Sequence, residues 1–169
     1  MTLGSHQAAI GASQSWIPPK WILDALGPFD LDPCECVPQP WKCATIGYTE
    51  AGLEQPWFGR VWLNPPFDRR VVGLWMSRMA NHGNGVALVH ARTEAEWFEP
   101  IWSSADGILF LADRLHFHHP DGTRAKANSG APAGLAAFGK SNVEALKSIT
   151  GALVTGWSIP TRSALEAKP

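Results

Sequence analysis

Arg60-Val61-Trp62-Leu63-Asn64-Pro65-Pro66-Phe67 is a run of apolar residues that meets two prolines and an aromatic ring. Val61 to Leu63 reads as a short buried strand. Neither proline can donate to a sheet ladder, so the strand must end there. Pro65 also biases Asn64 toward an extended backbone. The result is a stiff corner that presents an amide, a free carbonyl and a ring to one point. The Asn64 side-chain oxygen and the Pro65 carbonyl can each accept a hydrogen bond from an NH2 group. Phe67 offers a face on which the attached ring can stack. Asn64, Pro65, Pro66 and Phe67 are therefore the candidate catalytic residues, suited to gripping a planar amine.

The sequence on either side of the corner has an α/β rhythm. Downstream, Asp68 reads as the cap of a helix over 69–81 closed by Gly83, with Val71, Val72, Trp75, Met76 and Met79 on one face. Val86 to Val89 is an apolar strand. Thr93-Glu94-Ala95-Glu96 fits a capping box for a helix to Ser103. Gly107 to Leu111 is another strand. Leu115–His118 and Leu135–Phe138 read as a strand pair around a long loop, and Ser141-Asn142-Val143-Glu144 as a second capping box. Upstream, Pro18-Pro19 opens a helix over Lys20–Leu26, and Phe29 to Asp32 reads as a short strand. Residues 33–59 look irregular. This alternation predicts a compact, mostly parallel α/β sheet with an antiparallel strand pair near the C-terminus. Ligands of such sheets bind beyond the carboxyl ends of the strands, which places Asp32, Asn64 and Arg92 on one edge.

With 169 residues and 45% hydrophobic content the chain has the size and core of one domain, read as residues 15–160 between polar tails at 1–14 and 161–169. A net charge of −1 gives no global basic field, so contact with nucleic acid must come from local clusters. The nine tryptophans place some indoles near the surface or a ligand. Three cysteines without a signal peptide favour a reduced, cytoplasmic protein. Cys34, Cys36 and Cys43 lack paired zinc spacing and a clear fourth ligand, so buried thiols are expected and no metal. His116, His118 and His119 read as a loop shoulder. No apolar stretch reaches membrane-spanning length.

Asn-Pro-Pro-Phe resembles the [DN]-P-P-[YFW] motif of amino-group methyltransferases that use S-adenosylmethionine. Protein-glutamine and ribosomal-RNA methyltransferases carry that corner too, but its neighbours narrow the match. Trp16-Ile17-Pro18, Phe29-Asp30-Leu31-Asp32-Pro33-Cys34, Lys42-Cys43, Gly52-Leu53 and Trp57 precede it. Ala91-Arg92-Thr93, Trp97-Phe98 and Asp113-Arg114-Leu115-His116-Phe117 follow. This order is similar to the small phage-type, Dam-like DNA N6-adenine methyltransferases, over residues 15 to 139. The resemblance implies a Rossmann-like methyltransferase sheet and methyl transfer to the 6-amino group of a flipped adenine in DNA. It also implies S-adenosylmethionine as cofactor, DNA as partner, and the host cytoplasm as location if the chain is phage-encoded.

Carried over residue by residue, the resemblance puts Trp16 and Pro18 beside the cofactor and Gly52 and Leu53 near its adenine. Asp30, Asp32, Pro33 and Cys34 form the turn that receives the rest. By alternation only one of the two acids points into the crevice, and Asp32 is preferred. Arg69, Arg70, Arg92 and Arg114, with Arg124 and Lys126 of the loop 119–134, are the candidate DNA contacts. Arg60 and Arg78 are weaker candidates. The chain departs from the larger methyltransferases where Pro33-Cys34-Glu35-Cys36 replaces a glycine-rich turn. Only about thirty residues, the length of one βαβ unit, separate Asp32 from Asn64, so the cofactor-binding half is shortened. Ala51 precedes Gly52 where many relatives place an acid, and Glu50 is the nearest substitute. These departures keep a second reading open, a degenerate DNA- or nucleotide-binding module without catalysis.

Overall fold

The computed structural model describes residues 16–149 and 156–159; the two predicted tails lie outside the described residues. In chain order the elements are α1 (Lys20–Leu26), β1 (Leu31–Asp32), β2 (Ile46–Gly47), β3 (Val61–Leu63), α2 (Val72–His82) and β4 (Gly85–His90). A 3-10 turn over Glu96–Phe98 leads into α3 (Glu99–Ser104), followed by β5 (Gly107–Leu111), β6 (Ala133–Phe138), α4 (Lys140–Ile149) and β7 (Gly156–Ile159). The strands form one sheet in the order β2-β1-β3-β4-β6-β5-β7. β2, β1, β3 and β4 pair in parallel, while β6 lies antiparallel between β4 and β5, and β7 is antiparallel to β5. Five strands thus run one way and two the other, the mostly parallel sheet that the alternation predicts.

Both faces of the sheet are covered, which is why its long strands read as continuous apolar runs. Trp62, Val86, Leu88, Leu109 and Leu135 pack with α1 and α4 on one face. Val61, Leu63, Ala87, Val89, Ile108 and Phe138 pack with α2 and α3 on the other. Along each strand successive residues change face, as the pleat requires.

Several local expectations are corrected. Residues 115–118 form no strand; His118 makes only isolated bridges, to Ile17 and to Arg124. Their expected partner, 135–138, lies instead within β6 and fills the gap between β4 and β5. A fully apolar segment gains more there, between two ladders, than on an exposed hairpin. Asp68 caps no helix. It receives the Arg70 amide at 2.9 Å, and α2 begins only after Val71. The helix closes on Gly83, whose φ of 73° is the left-handed value a glycine adopts without strain.

Neither predicted capping box forms as written. Pro100 lies in the first turn of α3, where its missing N–H costs nothing, whereas inside a helix starting at Thr93 its ring would strike the carbonyl of Glu96. At α4 the helix starts two residues early, with the Gly139 carbonyl accepting from the Asn142 and Val143 amides. The Asn142 side chain is fully buried. It donates to Phe138 O at 2.6 Å and Asn84 Oδ1 at 3.0 Å, and it accepts from Arg60 Nε at 2.6 Å. The irregular stretch 33–59 holds one element too short to announce itself, β2, docked on β1 through Ile46 N–H to Asp30 O and Tyr48 N–H to Asp32 O.

Candidate active site

β1 is followed in the chain by β2 on one side of it and then by β3 on the other. The strand order therefore reverses between β1 and β3, the place where open α/β sheets leave a crevice. A cavity of about 580 Å³ opens there. Asp32, Pro33 and Cys34 line it from the end of β1, Asn64 and Pro66 from the end of β3, and Trp16 and Pro18 from the amino-terminal segment. Gly52 lines it as well, packed on Pro33. A Cβ on Gly52 would lie 1.9 Å from the Pro33 carbonyl oxygen, so only glycine lets these two turns touch. Ala51 just before it holds φ 51°, a left-handed value unusual for alanine.

The Asn64 amide is asymmetrically used. Its nitrogen donates to the Trp16 carbonyl at 2.7 Å. Its oxygen is buried and has no hydrogen-bond partner. The Trp16 carbonyl fixes this orientation, because the flipped amide would set two oxygens against each other. Asn64, which lines the cavity, therefore holds an unused acceptor.

Phe67 does not line the cavity. One face of its ring is covered by His90 at 4.0 Å between centroids and 11° between planes, and Phe117 meets it edge-on at 6.2 Å. Burial, with Arg92 nearby, pushes the His90 imidazole down to about 4, so the ring on Phe67 is neutral near neutral pH.

Asp32 is 3% exposed. Burial pushes its carboxyl up to about 7, against the opposing pull of the Cys34 amide, which donates to Oδ1 at 2.9 Å. The same burial pushes the Cys34 and Cys43 thiols upward. Asp32 is thus a carboxyl without a cation, facing a cavity. Among the described residues no group of three or more His, Cys, Asp or Glu is placed to hold a metal ion.

Two candidate cofactor residues lie elsewhere. Asp30 turns outward, and its carboxylate accepts the Arg60 amide at 2.7 Å. Leu53 packs into the core beside α2. Arg60 and Arg78 are half-buried and engaged within the molecule. Arg60 lies 4.3 Å over the Phe29 ring, and Arg78 donates to Gln55 O at 2.7 Å.

The remaining cations are exposed and follow the carboxyl ends of like-directed strands: Arg69 and Arg70 after β3, Arg92 after β4, Arg114 after β5. Arg70 pairs with Asp68, and Arg114 makes no ion pair among the described residues. Arg124 and Lys126 are exposed on the loop, which is tied to the amino-terminal segment by paired Ile17–His118 backbone hydrogen bonds of 3.1 and 2.8 Å.

Sequence reasoning missed Tyr48 and Thr49, which line the cavity after β2 together with Glu50, the substitute expected for the acid before Gly52. Trp62, one of the tryptophans expected near a ligand, lines it too. Alternation back from Asn64 was the available signal, since residues two apart share a face.

The fold is mixed α/β, with a cavity at its strand-order reversal. A family model described as DNA N-6-adenine-methyltransferase (Dam) matches residues 9–155, the bulk of the chain, and the chain belongs to that family. The reaction of the family is N6-methylation of adenine in DNA. No curated protein and no solved structure matches the chain. No helix among the described residues is long and apolar enough to cross a membrane.

Proposed function

We propose that this chain transfers a methyl group from S-adenosylmethionine to the 6-amino group of an adenine flipped out of DNA, at the cavity between β1 and β3. The free, buried Oδ1 of Asn64 carries this reading. The residues fit the cofactor: a buried carboxyl for its ammonium and a cavity of ordinary ligand size. Asp32 and Cys34, with Trp16, Pro18, Pro33 and Gly52, would hold it. When bound, S-adenosylmethionine supplies a methyl group activated by its sulfonium.

The chain's part is alignment and electrostatics. The adenine amine is a weak nucleophile because its lone pair is delocalised into the ring. Asn64 Oδ1 accepts one of its protons and the Pro65 carbonyl the other. Holding both favours a tetrahedral nitrogen with its lone pair directed at the methyl. Asn64 need not be a carboxylate, since its role is acceptance, and the surplus proton leaves to water afterwards. Phe67, backed by His90, gives the corner a rigid aromatic wall that offsets stacking lost on flipping. Arg69, Arg70, Arg92, Arg114, Arg124 and Lys126 contact the phosphates.

The test is transfer of a labelled methyl from S-adenosylmethionine to unmethylated DNA, with nucleoside analysis. N6-methyladenine from the wild type, reduced by about 100-fold or more in Asn64→Ala with cofactor binding retained, is expected. Full activity in Asn64→Ala removes the corner from the mechanism. Cofactor binding without transfer to DNA redirects the search to RNA or protein substrates. Absence of both supports the non-catalytic binding module.

A further inference from the structure

Trp62, a second residue lining the same cavity, also carries an unused polar atom. Its side chain is fully buried, its Nε1 has no hydrogen-bond partner, and the residue lines the cavity. Five side chains among the described residues hold such an atom: Trp41, Trp62, Asn64, Arg78 and His118. Only Trp62 and Asn64 of these line the cavity. A buried donor without a partner costs about 1–3 kcal/mol, which a ligand acceptor would recover. An indole N–H can only donate, so the ligand atom it meets must be an acceptor.

Register identifies its neighbour. Leu31 of β1 faces Val61 of β3, so the next positions, Asp32 and Trp62, lie side by side on the same face of the sheet. A buried acceptor, Asp32, thus stands beside a buried donor. An α-amino acid presents the complementary pair, an ammonium and a carboxylate on one carbon. No Lys, Arg or His lines the cavity, so a carboxylate entering it must be met by neutral donors. Of the other neutral donors lining it, Tyr48 Oη meets Pro56 O at 2.8 Å and Gln39 Nε2 meets Cys43 Sγ at 3.5 Å. Thr49 and the Trp16 and Trp75 indoles line it too, but none of them holds a fully buried donor without a partner.

We infer that the Trp62 indole N–H receives the carboxylate of the cofactor's amino-acid end while Asp32 holds its ammonium. The inference rests on the proposed use of S-adenosylmethionine and adds a binding residue to it. Trp62, one pleat before Asn64, then links the amino-acid end to the amide that grips the substrate amine.

The experiment follows the indole N–H signals of the unsubstituted protein by NMR, with Trp62 assigned through its contact with Phe29 at 5.4 Å. Two ligands are compared: S-adenosylhomocysteine, and 5′-methylthioadenosine, which lacks the amino-acid end. A downfield shift of the Trp62 signal with the first and none with the second is expected. In Trp62→Phe, affinity for S-adenosylhomocysteine should fall by about tenfold or more, with that for methylthioadenosine held within about twofold. A Trp62 signal unmoved by bound S-adenosylhomocysteine overturns the inference and leaves the proposed function standing. Equal weakening of both ligands does the same, since it marks a packing role. Failure of the wild type to bind either ligand overturns both.

Discussion

Turning the Asn64 amide through half a circle would press its oxygen against the Trp16 carbonyl and leave its NH2 facing the cavity. The 2.7 Å contact therefore sets which end of the side chain is offered to a ligand. Asp32 is the electrostatic counterpart. Its folded-state carboxyl holds its proton up to about pH 7, whereas in the unfolded chain it is released near the ordinary carboxylate value of 3.8. The folded state binds the proton more tightly between those limits. This stabilising contribution is fully present below pH 3.8 and is lost as pH climbs to about 7. Thermal midpoints of the ligand-free wild type should thus contain a fall between pH 5 and pH 7 that Asp32→Asn lacks. Parallel curves for the two proteins would show that the buried carboxyl is not the source. Asn64 and Asp32 were legible as strand-end polar residues. The state of each was not, because burial and the Trp16 carbonyl arrive from segments remote in sequence.

At the scale of elements, Asn142 ties α4 to β6, and through Asn84 and Arg60 to the strand that carries the corner. Asn142→Ala would strand the Arg60 Nε and the Phe138 carbonyl without partners. A loss of about 2–3 kcal/mol in urea denaturation is expected, with an unchanged slope. Read from sequence alone, Asn142 is a member of a capping box, and nothing local marks it as a core residue. The long elements were legible because hydrophobic period and glycine or proline punctuation agree, as in α2 with Gly83. The short ones were not. β2 has two residues and exists because β1 offers it a ladder. The place of β6 depends on the two strands that flank it. Pro100 did carry its signal, because a proline so close to the expected start of a helix is better placed in its first turn.

Across the whole molecule, the exposed Arg69, Arg70, Arg92 and Arg114 follow the ends where β3, β4 and β5 release the chain, in a protein of net charge −1. DNA binding should therefore weaken steeply with salt, and a combined Arg92→Ala, Arg114→Ala, Arg124→Ala variant should bind all sequences more weakly. Each lost phosphate contact should lower the log–log salt slope by about 0.9, measured by titration across salt concentrations. An unchanged slope would move the DNA to another face.

The hold on Asn64 by Trp16 is made by a main-chain oxygen. Any residue at position 16 supplies that oxygen, so the lineage can drift there without disturbing the amide, and a scan of side chains would pass over it. Vulnerability moves to position 17, whose two backbone hydrogen bonds to His118 anchor the segment. Heritable change in the loop beyond His118 is thereby passed to the segment that orients the Asn64 amide, so that, on the proposed function, altering which DNA is preferred and altering how fast it is modified would not be independent evolutionary steps.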